Sequence, residues 1–326
     1  MNERYTGGNF NWIGRVDGIR KEQLRWHQVI RNIDLDKDKI SAKGFCIIGF
    51  ESDIGIEKNK GRIGAKEAPD TIRRHLSSLP WYFDNINLYD AGNVVCKDSL
   101  ENAQELLSNK VKDIFDAGLL PIIIGGGHET AFGSVIGFYK HFKDMPSIIN
   151  FDAHFDMRDY KDGATSGTSF KQIGDICREV NKNFRYCCIG IQKSSNTQEL
   201  FNRAANYGAK WIDTEMIRFN EKAALKKLDV FLNASDNIHL TICRDVFAQN
   251  AVFGVSAPQP FGLTTNEFLK FFYFVLKSGK VKSFDIAEVS PPLDVGDAAS
   301  ILTAHIIFRL TDKTAQGLVS LIKPEK

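Results

Sequence analysis

The sequence Ile148-Ile-Asn-Phe-Asp-Ala-His-Phe-Asp156 joins a short apolar run to three closely spaced polar residues. The run is typical of a buried β-strand. Asp152, His154 and Asp156 stand at every second position, and in an extended chain this spacing places their side chains on one side. Carboxylates with an imidazole suit a divalent metal, and the excess of carboxylate favours Mn²⁺ over Zn²⁺. A solvent-facing strand edge is the alternative, but a strand that is otherwise apolar argues against it.

Two further motifs also follow strand-like runs. Pro121-Ile-Ile-Ile-Gly-Gly-Gly-His-Glu129 contains three glycines, which let the backbone turn tightly and hold His128 at the sheet edge. A nucleotide-binding loop is the alternative, but the motif lacks the GxGxxG spacing and no lysine follows it. Ile238-His-Leu-Thr-Ile-Cys-Arg-Asp245 places Cys243 and Asp245 two residues apart, although Cys243 alone is equally well explained as a small buried apolar residue. Because open parallel sheets bind their ligands at the carboxyl ends of the strands, we expect the three motifs to converge at that edge of the sheet.

Short apolar runs alternate with amphipathic stretches along most of the chain, which predicts an α/β fold with a parallel sheet and crossover helices. No linker or repeat interrupts the series, so we expect one domain over residues 41–326 and a peripheral N-terminal extension over residues 1–40. Thr264 and Glu267 predict a capping box. The predicted strands are 45–50, 86–89, 120–124, 147–151, 185–191, 210–212, 238–242 and 281–286, and the predicted helices are 70–77, 99–117, 130–141, 198–205, 215–233, 267–277 and 297–310.

Composition excludes several classes of protein. With 326 residues, 43% of them hydrophobic and 25% charged, the chain is not disordered. Its net charge of +2, with the signs interleaved, predicts no nucleic-acid partner and no membrane partner. The apolar runs are much shorter than the roughly 20 residues of a membrane span. The polar N-terminal region lacks the apolar stretch of a secretory signal, and the six cysteines form no CxxC pair, so we expect a cytoplasmic protein with reduced thiols.

Taken together, the motifs resemble those of the ureohydrolase family, which comprises arginase, agmatinase and formimidoylglutamase. The resemblance covers the chain from about Phe45 to Leu310. It implies a three-layer α/β/α fold with a mainly parallel sheet of about eight strands, two Mn²⁺ ions, a small-molecule substrate and a homo-oligomer. The ligands that it implies are His128, Asp152, His154, Asp156 and Asp245, with Cys243 at the sixth position.

Cys243 departs from the family pattern, because a bridging Asp usually occupies that position. A thiolate could bridge two ions, but as a softer ligand it would favour Zn²⁺ or Fe²⁺. Only Asp152, Asp156 and Asp245 remain to balance the charge of two divalent ions. A weakened or vacant metal site, in a catalytically silent relative, is therefore one alternative.

Several segments resemble the formimidoylglutamase branch more than arginase, among them Asn59-Lys-Gly-Arg-Ile-Gly-Ala65 and Gly254-Val-Ser-Ala-Pro258. Arg158 could grip a substrate carboxylate in bidentate fashion, although an ion pair with Asp159 or Asp162 would also explain it. Glu288 matches the family acid that holds the cationic nitrogen end of the substrate, and a structural salt bridge is its alternative.

The function that the resemblance implies is metal-dependent hydrolysis of a linear amidine C–N bond. We expect N-formimidoyl-L-glutamate and water to give L-glutamate and formamide, as in histidine degradation. Asp156 would orient water or accept its proton, and Glu288 would hold the amidinium. A ureohydrolase that acts on a guanidino compound, of the agmatinase or guanidinobutyrase type, is the alternative enzyme, although Arg158 would be badly placed for a cationic tail.

Overall fold

A single sheet carries the strands of this computed structural model, which describes residues 3–250 and 253–320. The strands are β1 Arg4–Tyr5, β2 Arg31–Asn32, β3 Gly44–Glu51, β4 Asn87–Val95, β5 Leu119–Ile124, β6 Ser147–Phe151, β7 Tyr186–Ile191, β8 Lys210–Asp213, β9 Ile238–Cys243 and β10 Val281–Ala287. The helices are α1 Trp26–Val29, α2 Ile54–Lys58, α3 Ala68–Ser77, α4 Leu100–Asp116, α5 Thr130–Phe142, α6 Ser169–Glu179, α7 Gln198–Asn206, α8 Thr214–Phe219, α9 Glu221–Asn233, α10 Thr265–Lys277 and α11 Ala298–Ser320.

The order of the strands across the sheet is β1-β4-β3-β5-β10-β9-β6-β7-β8, and β2 also pairs with β4. β1 runs antiparallel to β4, whereas the pairings among β2 to β10 are parallel. The eight strands predicted from the sequence correspond to β3 to β10. The sheet therefore confirms the prediction of a mainly parallel α/β fold.

Helices cover both faces of the sheet. Alternate side chains of β3 separate to the two faces, so that Phe45 belongs to one buried cluster and Ile48 to another. The first cluster packs against α10 through Phe272, and the second packs against α4 through Leu107. Such burial on both faces explains why the central strands are almost wholly apolar, and it confirms the three-layer α/β/α arrangement.

Most predicted helices are present, with some differences in their ends. The segment predicted as one helix over residues 215–233 forms α8 and α9, because Asn220 leaves helical geometry and its side chain accepts the Ala223 amide at the start of α9. The capping box of Thr264 and Glu267 is confirmed at the start of α10. α1, α2 and α6 were not predicted. No described helix is both long enough and apolar enough to cross a membrane.

Residues 3–40 lie along the β4 side of the sheet. Both β1 and β2 pair with β4, and Trp26 is completely buried against Trp81. The Trp12 indole donates a hydrogen bond to Asp90 in β4. The division of the chain at residue 40 stays a prediction.

Candidate metal centre and substrate pocket

Four strands that are neighbours in the sheet bring the predicted site residues together. β5, β10, β9 and β6 lie side by side, although they are far apart in the sequence. Their carboxyl ends form one side of a cavity of about 370 Å³. We refer to the side chains at this side as the floor, which comprises His128, Asp152, His154, Asp156, Cys243, Asp245 and Glu288.

Glycines let the backbone reach this position after β5. A Cβ on Gly126 would lie 2.0 Å from the Ser52 carbonyl oxygen, so no larger residue fits there. The Gly126 carbonyl accepts the Glu288 amide at 2.8 Å, and Glu288 Oε1 accepts the His128 amide at 3.0 Å. These two hydrogen bonds join the end of β10 to the glycine loop.

The ligand atoms of the floor lie within coordinating reach of one another. His128 Nδ1 is 2.9 Å from Asp152 Oδ2 and 2.7 Å from Asp156 Oδ2. His154 Nδ1 is 3.1 Å from Asp245 Oδ2. Potential donor atoms of His128, Asp152 and Cys243 lie within 4.8 Å of one another, and the same holds for Asp152, His154 and Asp245. Asp152 belongs to both groups, as a ligand shared by two ions would.

The donor set fits divalent cations. Two imidazole nitrogens face carboxylate oxygens, and such a cluster needs protons or cations between its members. Asp245 is buried, and its Oδ1 atom has no hydrogen-bond partner among the described residues. An orphaned buried carboxylate oxygen is costly unless a cation binds it. The floor therefore has the chemistry of a metal centre with carboxylate, imidazole and thiol ligands.

Burial and mutual repulsion govern ionisation in the floor. Burial and then the negative charge of Asp152 raise the pKa of Asp156 to about 6. Burial opposes a charged ring at His128, but hydrogen bonds with Asp152 and Asp156 outweigh it and raise the pKa of His128. Burial and then the charge of Asp152 raise the pKa of the Cys243 thiol well above its ordinary value of 9.0. Without a cation, Cys243 is therefore a neutral thiol.

Two floor residues have strained backbone conformations. Asp156 has φ 46° and Glu288 has φ 66°, in the left-handed region that residues with a side chain rarely adopt. This conformation costs on the order of 1 kcal/mol per residue and persists where the surroundings enforce it. Neither position carries a sequence signal for this strain, because neither is a glycine.

A buried acid supports the floor from below. Glu129 Oε1 accepts hydrogen bonds from the Ser52 hydroxyl at 2.7 Å and from the Gly55 amide at 3.2 Å. Burial raises the pKa of Glu129 to about 7. Burial and then the neighbouring charge of Glu129 raise the pKa of Glu288 well above its ordinary value of 4.5.

Loops form the other side of the cavity. We refer to this side as the rim, which comprises Asn59, Lys60, Arg62, Arg158, Ser166 and Ser256. Arg62 is tied down, because its guanidinium donates to the carbonyl oxygens of Val255 at 2.7 Å and Ser256 at 3.0 Å.

Arg158 differs from Arg62 in having a free head group. It is exposed, and its guanidinium has no hydrogen bond or ion pair among the described residues. Asp159, considered as its partner in a surface ion pair, instead lies 3.7 Å from Lys161 and from Lys171. The Arg158 side chain passes over Gly167, where an added Cβ would lie 2.9 Å from Arg158 Cδ. Arg158 is therefore available to a ligand.

Sequence reasoning placed the floor residues but missed some of their neighbours. Glu129 ends the glycine motif, but the sequence assigned it no role. Thr241 lies in the motif around Cys243, and the sequence indicated no more for it than a place in a strand. Thr241 precedes Cys243 by two positions, so the alternation of β9 already places both on one face. Lys60 also lines the cavity, and no pattern in the sequence indicates this.

A larger cavity, of about 940 Å³, opens beside β8 and is lined by Phe201, Trp211 and Phe219 among others. Neither of the two metal-ligating clusters found among the described residues includes a residue that lines it. The candidate site is therefore the smaller cavity, between the floor and the rim.

A three-layer α/β/α fold with imidazoles and acids at the carboxyl edge of its sheet is an architecture that suits a metal-dependent hydrolase. The model of the family described as the arginase family matches residues 43–311. Formimidoylglutamase of Clostridium tetani (strain Massachusetts / E88) is 44% identical over 319 residues, which cover 94% of each chain. Formimidoylglutamase of Geobacillus thermodenitrificans (strain NG80-2) is 39% identical over 90% of this chain and 92% of its own. This chain belongs to the arginase family.

Solved structures agree with this assignment. The structure of formimidoylglutamase from Bacillus subtilis has a TM-score of 0.78 at 24% identity and covers 94% of both chains, which shows the shared fold. The structure of Trypanosoma cruzi formiminoglutamase with Mn2+2 has a TM-score of 0.75 at 25% identity, over 84% of this chain and 94% of its own.

Proposed function

We propose that this protein hydrolyses N-formimidoyl-L-glutamate to L-glutamate and formamide. The observation that carries the proposal is the division of charge across the cavity. The floor holds the acids Asp156, Asp245 and Glu288, the last two of them buried, whereas Lys60 and Arg158 line the rim. A formimidoyl-glutamate has a cationic amidinium at one end and two carboxylates at the other, so its charges match both sides. The names of the relatives support the same substrate.

The residues that would hold two Mn²⁺ ions are those of the floor. His128, Asp152 and Cys243 form one group of donors, with Asp156 also against His128, and Asp152, His154 and Asp245 form the other. Bound there, the ions would lower the pKa of water and stabilise the negative charge of the oxygen that attacks the formimidoyl carbon. The Mn²⁺ in a solved relative supports this metal.

The side chains of this protein would perform the remaining steps. Glu288 would accept a hydrogen bond from the amidinium nitrogen and hold the formimidoyl carbon over the floor. Asp156 would take the proton from the attacking water and return it to the departing glutamate nitrogen. The oxygen of water then ends on formamide, and the broken C–N bond leaves glutamate as an amine.

Arg158 would select the substrate. Its guanidinium is a planar fork that matches a carboxylate, and it is free of protein partners among the described residues. Two cationic head groups at the rim would repel the amine of agmatine. The rim therefore argues against the guanidino-compound alternative, and the convergence of six potential metal ligands in the floor argues against a silent relative.

A product assay tests the proposed function. Metal-free protein is loaded with Mn²⁺ and supplied separately with N-formimidoyl-L-glutamate, agmatine and 4-guanidinobutyrate, and formamide, glutamate and urea are measured. Formamide and glutamate in equal amounts from the first substrate are expected. Urea from either guanidino compound, without formamide from the first substrate, would overturn the proposal in favour of the alternative.

A further inference from the structure

A chain of buried hydrogen bonds leads from His128 into the sheet, away from the cavity. His128 Nε2 lies 2.9 Å from Thr241 Oγ1, and the Thr241 hydroxyl donates to Asp285 Oδ1. Asp285 Oδ2 lies 2.6 Å from His239 Nε2, and His239 Nδ1 lies 2.7 Å from Ser283 Oγ. We refer to Thr241, Asp285, His239 and Ser283 as the inner chain.

The register of two strands creates the inner chain. Thr241 of β9 is directly opposite Asp285 of β10, and His239 is opposite Ser283. Thr241, Asp285 and His239 are fully buried, and Ser283 is 2% exposed. Because each pair stands face to face in the ladder, the side chains have little freedom to choose other partners. Four polar groups in the middle of an apolar sheet are costly unless every donor and acceptor is used.

The direction of the hydrogen bonds determines which nitrogen of a neutral His128 ring carries its proton. Thr241 has a single hydroxyl hydrogen, and it points to Asp285, which as a carboxylate can only accept. The Thr241 oxygen is then left as an acceptor for His128 Nε2–H. With its proton on Nε2, neutral His128 has its lone pair on Nδ1, the atom that faces Asp152 and Asp156.

We propose that Thr241 is a positioning residue for the metal centre, and that Asp285 and His239 fix the direction in which Thr241 donates. Thr241 holds the Nε2 proton of His128 and so reserves Nδ1 for the cation. The inference rests on the metal-binding function proposed for the floor. A metal-ligating histidine is generally oriented by the partner of its other nitrogen, and loss of such a partner weakens metal binding.

The opposite arrangement shows why Asp285 matters. If Thr241 donated to His128 Nε2, a neutral His128 would carry its proton on Nδ1, in the place where the cation has to bind. Asp285 excludes this arrangement because its Oδ1 atom accepts the Thr241 hydroxyl hydrogen, while its Oδ2 atom is hydrogen-bonded to His239.

Mn²⁺ titration of metal-free protein by calorimetry tests the inference. Thr241→Val removes the hydroxyl and nearly keeps the side-chain volume, and we expect it to weaken Mn²⁺ binding by about 10- to 100-fold. Thr241→Ser restores the hydroxyl and should bind close to the wild-type affinity. Thr303→Val is the matched control, since Thr303 is equally buried and donates to the Ala299 carbonyl oxygen at 2.8 Å, within α11. It should lose stability without losing Mn²⁺ affinity.

The outcomes separate this inference from the proposed function. Equal Mn²⁺ affinity in Thr241→Val and Thr303→Val would overturn the role of Thr241 and leave the proposed function standing. Weak binding by Thr241→Ser as well as Thr241→Val would mean that the methyl packing of Thr241 matters rather than its hydrogen bond, and would also overturn the inference. Failure of the unaltered protein to bind Mn²⁺ would overturn both proposals. The folded state of each variant is checked by its unfolding temperature without metal.

Discussion

The floor and the rim are built in opposite ways. The floor lies at the ends of adjacent strands, and hydrogen bonds hold its side chains, as the two contacts of His128 Nδ1 illustrate. The rim lies on loops, and Arg158 there is exposed and without a partner for its guanidinium among the described residues. Rigid strands can fix reacting groups accurately, whereas loops are free to vary the groups that select a substrate. We therefore expect the floor to govern metal binding and turnover, and the rim to govern substrate affinity.

The largest effect should come from the carboxylate shared by both ligand groups. Asp152→Asn removes one negative charge from the floor, and we expect the rate to fall on the order of a thousandfold, about 4 kcal/mol of transition-state stabilisation. Metal content and kcat are measured on the same sample. The exposed Asp159→Asn is the control and should keep full activity. An Asp152→Asn enzyme with full metal content and more than a tenth of the normal kcat would contradict the expectation that the floor governs metal binding and turnover.

The acid below the floor should make stability depend on pH. Folding raises the pKa of Glu129 from its ordinary value of 4.5 to about 7. Between these values the folded protein keeps a proton that the unfolded chain has released, so stability falls as the pH rises. The full effect is about 3 kcal/mol for this buried group. Glu129→Gln removes it, and the stability of the variant relative to wild type should rise from pH 4.5 to pH 8 in urea unfolding of metal-free protein. Parallel pH profiles would show that Glu129 does not contribute.

At the rim, Arg158→Ala should raise KM with little change in kcat. A charged contact with a substrate carboxylate contributes about 2 kcal/mol, which corresponds to roughly a 30-fold rise in KM. Arg158→Lys keeps the charge but loses the planar fork, so its KM should lie between those of Arg158→Ala and the wild type. Lys161→Ala is the control, because Lys161 is exposed nearby but does not line the cavity. An unchanged KM in Arg158→Ala, at full metal content, would show that Arg158 does not bind the substrate.

The smallest of these effects should come from Cys243. Cys243→Asp replaces a neutral thiol by a hard oxygen ligand, and we expect Mn²⁺ affinity and Mn²⁺-dependent activity to rise, the affinity about tenfold. Because the negative charges of Asp152 and Asp245 act on this position, the metal-free variant should be less stable than wild type. A larger rise in unfolding temperature on adding Mn²⁺ would report both changes. Equal or weaker binding would mean that the thiolate is itself a ligand around which the floor is built.

Much of the floor could be predicted because its residues directly follow apolar strands. Asp152, His154 and Asp156 come after the end of β6 at Phe151, and Asp245 comes after the end of β9 at Cys243. The expected extended chain does not continue over them, since Asp156 has φ 46° and Asp245 lies in a short 3-10 helix. The order of the strands was not needed for this prediction, since all parallel strands present their carboxyl ends at the same edge. The membership of the chain in the arginase family, indicated by the same motifs, is confirmed. The metal-ligand and catalytic roles of the individual residues stay predictions.

The rim and the inner chain could not be predicted in this way. Lys60 and Arg158 are 98 positions apart and lie in loops without regular periodicity, so no local rule brings them to one cavity. The partnership of Thr241 with Asp285 depends on the register of β9 against β10, which packing of the whole sheet sets. The left-handed backbone of Asp156 and Glu288 also carries no signal in the sequence, because neither residue is a glycine.

The sequence by itself determined which residues end the strands, and with them the α/β fold and the set of candidate metal-ligating side chains. It did so because all strands of a parallel sheet present their carboxyl ends at the same edge, which is a property of the backbone. Only the tertiary structure decided which side chains oppose one another across the cavity and which nitrogen of His128 faces the carboxylates. These depend on distances between segments far apart in the chain, and such distances are fixed only when the two faces of the sheet pack against their helices.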